Sequence, residues 1–173
     1  DLDTLKGCSG GLGAEYVSYN CGLFKELNYE TKRKKGCYGL CYAAKIAKFR
    51  GYDFRKIEKR YFISESHLKS IGKQLGKIEF VRIGVSCDPS DDWKHTLDII
   101  GLIKPYINSI VIITKHWDNL TYNQCLKLEG LCVNTSISAL DTSLEIDNRL
   151  FWYNKLKSFC KSVLRVNTAN FND

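Results

Sequence analysis

From residue 79 to residue 168 the sequence alternates two periods, and that alternation leaves very few folds open. "EFVRIGVS" (79–86) sets apolar against polar residues with a period of two, the mark of a strand. "SIVIIT" (109–114) is a short β-branched apolar run and predicts a strand buried on both faces. "LCVNTSI" (131–137) and "SVLRVNT" (162–168) are two further strands. Between them lie helical patterns. "DDWKHTLDIIGLIK" begins on an Asp pair suited to a helix start, places Trp93, Leu97 and Ile100 on one face, and is followed by Pro105. "LTYNQCLKLEG" is a short helix closed by Gly130. "LEIDNRLFWYNKLKSFC" is a longer one, with Ile146, Leu150, Tyr153, Leu156 and Cys160 at helical spacing. Strand starts about 20 to 30 residues apart match the length of a compact βαβ unit, so the strands are predicted to be parallel.

The N-terminal part reads differently. Residues 1–41 carry Gly7, Gly10, Gly11, Gly13 and Gly22 among polar residues and predict an irregular segment, with one short strand near Tyr16 to Tyr19. "SGGLG" lacks both the preceding strand and the Lys-Ser/Thr ending of a P-loop, and reads as a turn. Regular structure starts at "YAAKIAKFRG", an alanine-favoured helix with Gly51 as its C-cap. "SESHLKSIGKQLG" follows, with Ser64 as cap, a Leu68, Ile71 and Leu75 stripe and Gly76 at its end. With 173 residues and 44% hydrophobic content, the chain is predicted to form one globular domain. The expected class is α/β: parallel strands with alternating helices over 42–173, in a partial or small (β/α) barrel or an open sheet, preceded by the Cys/Gly-rich segment 1–41. No apolar run approaches the roughly 20 residues of a membrane span. No secretory leader is visible, although the chain opens on Asp1 rather than Met, so residues can precede it.

In either architecture ligands gather at the C-terminal ends of the strands. Those ends read "SCDPSDD", "TKHWD", "TSISALD" and "NTAN", all rich in hydrogen-bonding groups. Turn residues alone would account for Asp, Ser and Asn. Lys115 and His116 directly after a strand suit an anionic or polar ligand better. Ser136 and Ser138 flank Ile137, so both hydroxyls face one side of the sheet. They suit a ribose or carboxylate, or serve as satisfied sheet hydroxyls. Arg149, one turn into the following helix, is placed to reach a carboxylate. No GxSxG elbow is present, and His67, His95 and His116 have no evident nucleophile partner; His67 and His95 are expected to be surface or packing residues. Asp88 and Asp91 disfavour a thiolate at Cys87.

The eight cysteines allow several chemistries. Cys125, Cys132 and Cys160 fall in apolar periodic segments and are expected to be free core thiols, which favours a reducing, cytoplasmic setting over a disulfide framework. Cys37 and Cys41 stand apart. They follow Lys32, Arg33, Lys34 and Lys35, whose charge favours thiolates, and they open the first regular helix. Thiolates in that loop can hold iron–sulfur or zinc. The net charge of +7 favours anionic partners, and the basic segment 25–60, bounded by Lys25 and Arg60, is a candidate nucleic-acid surface.

"GCYGLCYAAKIAK" resembles the cluster loop of radical S-adenosylmethionine (SAM) enzymes. The later progression through "TK", "SI", "D" and "R" is similar to the spore photoproduct lyase-like branch and to related phage-encoded proteins. This resemblance extends over most of the chain from Cys37 onward. The usual loop is CxxxCxxC, and here Ala44 stands where the third cysteine would be. The resemblance therefore implies a [4Fe-4S] cluster on Cys21, Cys37 and Cys41, with Cys8 as the alternative to Cys21, and an open iron position for SAM. It implies that SAM lies across the strand ends, near Asp88, Lys115, Ser136, Ser138 and Arg149. The chemistry implied is reductive cleavage of SAM, with an electron donor as partner, to start radical reactions on a substrate that the basic charge inclines towards nucleic acid. Two other readings stand beside it. One is a zinc-binding α/β domain that binds nucleic acid. The other is a cluster-less descendant of the fold acting as a structural or interaction module.

Overall fold

The computed structural model describes residues 5–6, 42–51, 58–59, 66, 69–70, 72–73, 79–84, 87–107, 109–139 and 141–167. The two strand ends β1 (Leu5–Lys6) and β2 (Glu58–Lys59) pair antiparallel. Helix α1 (Tyr42–Phe49) lies between them in the chain and closes at Gly51, as the sequence predicts. The strand at Tyr16 to Tyr19, the Ser64 cap, the Leu68, Ile71 and Leu75 stripe and its Gly76 end lie outside the described residues, as do Cys8, Cys21, Cys37, Cys41 and His67; of the segment 1–41 expected to be irregular, only Leu5–Lys6 is described, and it is a strand.

The rest is an α/β unit. Its elements run β3 (Val81–Ile83), α2 (Trp93–Ile103), β4 (Ile110–Thr114), α3 (Tyr122–Leu126), β5 (Cys132–Ser138), α4 (Ser143–Leu156) and β6 (Lys161–Asn167). The four strands form one parallel sheet in the order β3-β4-β5-β6. All four predicted strands and three intervening helices are present, with boundaries shifted by a few residues. The sheet has the parallel order of the predicted α/β class, and among the described residues it is open.

Strand alternation separates the two faces. Val81 and Ile83, Ile110 and Ile112, and Val133 are in register and buried together with Trp93, Leu97, Ile100 and Ile103 of α2, Cys125 of α3, and Trp152 and Leu156 of α4. One apolar cluster thus includes residues from all three helices, as right-handed crossovers between sequential parallel strands require. The other face carries Arg82, Val111, Ile113, Cys132, Asn134, Ser136 and Ser138, with Lys161, Val163, Arg165 and Asn167 on β6. The expectation of a strand buried on both faces fails at β4. Ile110, Ile112 and Thr114 are buried, whereas Val111 and Ile113, on the side away from the cluster shared with α2, α3 and α4, are half-buried.

Helix α4 carries a second correction. Its buried residues are Arg149, Trp152 and Leu156, while Ile146, Leu150 and Tyr153 are half-buried. A hydropathy stripe ranks arginine as an outward residue, so it misses a face on which arginine is paired with carboxylates. The helix starts are better behaved. Asp92 accepts a hydrogen bond from the His95 amide at 2.9 Å and starts α2. Thr142 and Glu145 form a complete capping box at the start of α4. His95 is buried, in keeping with a packing residue. Cys87, Cys125, Cys132 and Cys160 are in no disulfide. Burial, and then the neighbouring Cys132 and Cys125, push the Cys160 thiol up to about 11, so it stays protonated at neutral pH.

Candidate functional site at the strand ends

The C-terminal ends of β3, β4 and β5 meet in two carboxylate-centred networks. The first is built on Asp88, in the loop after β3. That loop turns at Gly84, whose φ of +94° is open to glycine and whose missing Cβ leaves room for Pro89. Asp88 is buried and gathers donors from two segments. From its own turn it accepts the Ser90 amide at 3.1 Å and the Ser90 hydroxyl at 2.8 Å. From the end of β4 it accepts the Thr114 hydroxyl, the Lys115 amide at 2.7 Å and the His116 amide at 3.0 Å. Burial alone would raise this carboxyl. The His116 charge and the converging donors outweigh burial and hold it below the usual carboxylate range. Asp88 therefore ties the β3 loop to the β4 end.

His116 extends that network. Its Nδ1 lies 3.7 Å from Asp88 and 3.6 Å from Asp91, whose side chains are both almost wholly buried. Next to them, Asp118 is pushed up by partial burial and by the charges of Asp91 and Asp88.

The second network is built on Asp141, just after β5. Its carboxylate accepts the Ser138 amide at 2.6 Å and the Ser138 hydroxyl at 3.0 Å. It also pairs with Lys115 Nζ at 2.8 Å and with the Arg149 guanidinium. Burial opposes ionisation here too. Hydrogen bonds from Lys115 and Arg149, and then their charges, keep Asp141 ionised below the usual range. Arg149 also reaches Glu145 at 3.5 Å, one helical turn away. Two acids and two bases balance one another in this group.

Lys115 joins the two networks. Its amide serves Asp88, its carbonyl accepts Arg149 Nε, and its ammonium reaches Ser138 at 2.9 Å and Asp141. Two residues on, Trp117 lies tilted against Trp93 and stacked on Trp152, with centroid separations of 5.4 and 5.6 Å. Trp117 adopts φ of 49°, and its segment is held by Asn148, which donates to the Trp117 carbonyl at 3.3 Å, and by Trp93, which donates to the Asp118 carbonyl at 3.0 Å.

Of the residues singled out in the sequence, Asp88, Ser138 and Arg149 each bond to Lys115, and their other partners are Ser90, Thr114, His116, Asp141 and Glu145 of the same chain. Ser136 lies one step back on β5, buried, on the same sheet face as Ser138. Sequence reasoning placed Thr114 and Asp141 in the strand-end motifs without giving either a role, and missed Glu145. Thr142-x-x-Glu145 carries a legible capping-box pattern, and Asp141 immediately precedes it. Among the described residues no group of three His, Cys, Asp or Glu side chains could hold a metal ion, and no helix is long and apolar enough to cross a membrane. The cysteines expected to ligate metal lie outside those residues. No family model, curated protein or solved structure matches the chain.

Proposed function

We propose that the chain is a radical SAM-type enzyme acting at the C-terminal rim of its parallel sheet, with the four strands forming part of a (β/α) barrel. The observation that carries this reading is the joining of three successive strand ends by Lys115 into one charge-balanced polar rim. Its order along the chain is that of the "TK", "SI", "D" and "R" progression. The ion pair of 2.6 Å between Lys59 of β2 and Asp92, at the start of α2, supports it further. It ties the strand that follows α1, the helix Cys41 leads into, to this same rim.

The donor set fits the cofactor in kind. Cys37 and Cys41 with Cys21, or Cys8 in its place, offer three thiolates beside a lysine- and arginine-rich approach. When bound, the cluster and SAM supply the one-electron chemistry, and an external electron donor completes the reaction. The chain's own residues do the positioning. Asp88 fixes the β3 loop. Asp141 and Arg149 fix the β5 end. Lys115 and Ser138, half-buried at the rim, and Ser136 behind them are the polar groups placed to orient a ligand. The reading places the protein in a reducing cytoplasm, of cellular or phage origin.

Anaerobic reconstitution with iron and sulfide tests it. The expected result is a brown protein with about four irons per chain, which cleaves SAM to 5′-deoxyadenosine under reduction, and which loses its iron in Cys37→Ala and Cys41→Ala. A colourless reconstituted protein would overturn the proposal. Zinc in place of iron would move the chain to the zinc-binding, nucleic-acid-binding reading.

A further inference from the structure

β6 is the last strand of the sheet, and among the described residues no strand lies beside its outer edge. Such an edge presents a row of backbone amides and carbonyls that accept another strand. β6 is seven residues long and contains no proline, so nothing in its backbone bars pairing. Its register with β5 also sets its faces. Ser162, Leu164 and Val166 stand opposite Val133, Thr135 and Ile137, on the side of the core cluster. Yet Leu164 is only half-buried, and Val166 is 60% exposed. The apolar stripe of α4 has the same character. Ile146, Leu150 and Tyr153 follow the spacing of a core face and are half-buried. The Ser162 hydroxyl donates to the Tyr153 carbonyl at 2.8 Å, which sets this end of the stripe against the start of β6. A crossover helix runs opposite to its strands, so the stripe and the Ser162, Leu164 and Val166 row extend side by side. Residues patterned as core thus lie half covered next to an open edge.

We infer that β6 is a self-association surface, which pairs antiparallel with the β6 of a second copy about a two-fold axis at Leu164. The strand's own sequence selects this partner. An axis normal to the sheet keeps the core sides of both copies together and pairs residues of the same face. With the axis at Leu164 all seven residues pair. Lys161 then faces the partner's Asn167, Ser162 the partner's Val166, Val163 the partner's Arg165, and Leu164 the partner's Leu164. No cation stands directly opposite another, and Leu164 and Val166 gain cover on the core side. Moving the axis to Val163 sets Lys161 against the partner's Arg165. Moving it to Arg165 sets two arginines face to face. Either shift also shortens the ladder, and like charges directly opposite are destabilising. The two cations therefore specify the register. One strand edge with a narrow apolar stripe is at the small end of interface sizes, so the dimer is expected in the micromolar range. The pairing does not depend on the reaction proposed above.

The test uses the full chain without added iron. Sedimentation equilibrium from about 5 to about 500 µM should show a monomer–dimer equilibrium within that range. Amide hydrogen exchange at both ends of the range should show Lys161–Asn167 gaining protection as the dimer fills. Three variants check the register, each shown to be folded by a thermal melt of the dilute protein. Val163→Glu sets a carboxylate opposite the partner's Arg165 on both sides of the axis and should tighten the dimer about fivefold, whereas Val163→Lys should weaken it about fivefold. Val166→Ser alters a side chain that the monomer leaves exposed, and should weaken the dimer about tenfold through the apolar cover lost from both copies. A chain that stays monomeric throughout overturns the inference. So does a dimer whose dissociation constant is the same in all three variants, or one that forms with no added protection at Lys161–Asn167. Full protection of that strand in a sample that sediments as monomer would show that its own chain covers the edge, and would overturn the inference equally.

Discussion

Replacing Asp141 by asparagine removes the charge at the centre of the rim. The variant keeps the shape of the side chain but leaves Arg149, with a side chain 3% exposed, and Lys115, at 15%, without their shared carboxylate. Glu145 remains 3.5 Å from Arg149, too far to replace a close pair. Breaking a buried pair by removing one partner costs about 3–5 kcal/mol, since the other charge stays desolvated. Against a typical total of about 5–15 kcal/mol this is a large fraction. Urea unfolding can be read through the fluorescence of the three tryptophans, which sit together. With an m-value of about 2 kcal/mol per molar, the midpoint should fall by about 2 M while m is unchanged. The pH dependence carries its own sign. Asp141 binds its proton more weakly in the folded state than in the unfolded chain. Its contribution is therefore complete above the unfolded value of about 3.9 and is lost as pH falls below it through the folded value. The difference between wild type and variant should accordingly close in acid. A loss below about 1 kcal/mol at neutral pH, the size of an exposed pair, would refute the claim that this network is desolvated and holds the strand ends together.

Two further substitutions probe the elements around the rim. In Gly84→Ala the new Cβ would meet Pro89 Cγ at 2.7 Å and the Ile113 carbonyl at 2.9 Å, on a backbone with φ of +94°. The expected cost is about 2 kcal/mol or more. That corresponds to a melting temperature about 4–8 °C lower, and an unchanged melt would show that the turn can relax. Thr135→Val should go the other way. The Thr135 hydroxyl is fully buried on the helix-facing side and has no hydrogen-bond partner. An isosteric methyl should therefore stabilise the fold by about 1 kcal/mol in a calorimetric melt, and a fall of that size would mean the hydroxyl is held by a partner.

The fold was legible wherever one period dominated a segment. "SIVIIT" and "LCVNTSI" announce strands because β-branched residues favour a pleated, packed surface, and the spacing between them is long enough only for a crossover helix. The Asp pair before Trp93 announces a helix start because a carboxylate there accepts backbone amides, and Asp92 does so. Two features were hidden. Burial on one side of β4 only depends on where the helices pack, which a local run such as "IVII" does not record. The inward face of α4 depends on Arg149, whose place there is set by Asp141 across the loop and not by its own hydropathy.

The same distinction runs through the site. Residue type and position at a strand end were enough to single out Lys115 and Ser138, because polar side chains concentrate where a parallel sheet meets solvent, while Arg149 stood out by its place one turn into the next helix and Asp88 through the resemblance. Their roles follow from partners that only the fold supplies. Asp88 accepts donors from its own turn and from the segment after Thr114, 26 residues away in the chain, so it acts as a clasp between two strand ends. Arg149 reaches carboxylates belonging to its own chain. A charge engaged in this way positions its neighbours and has little affinity left for a ligand.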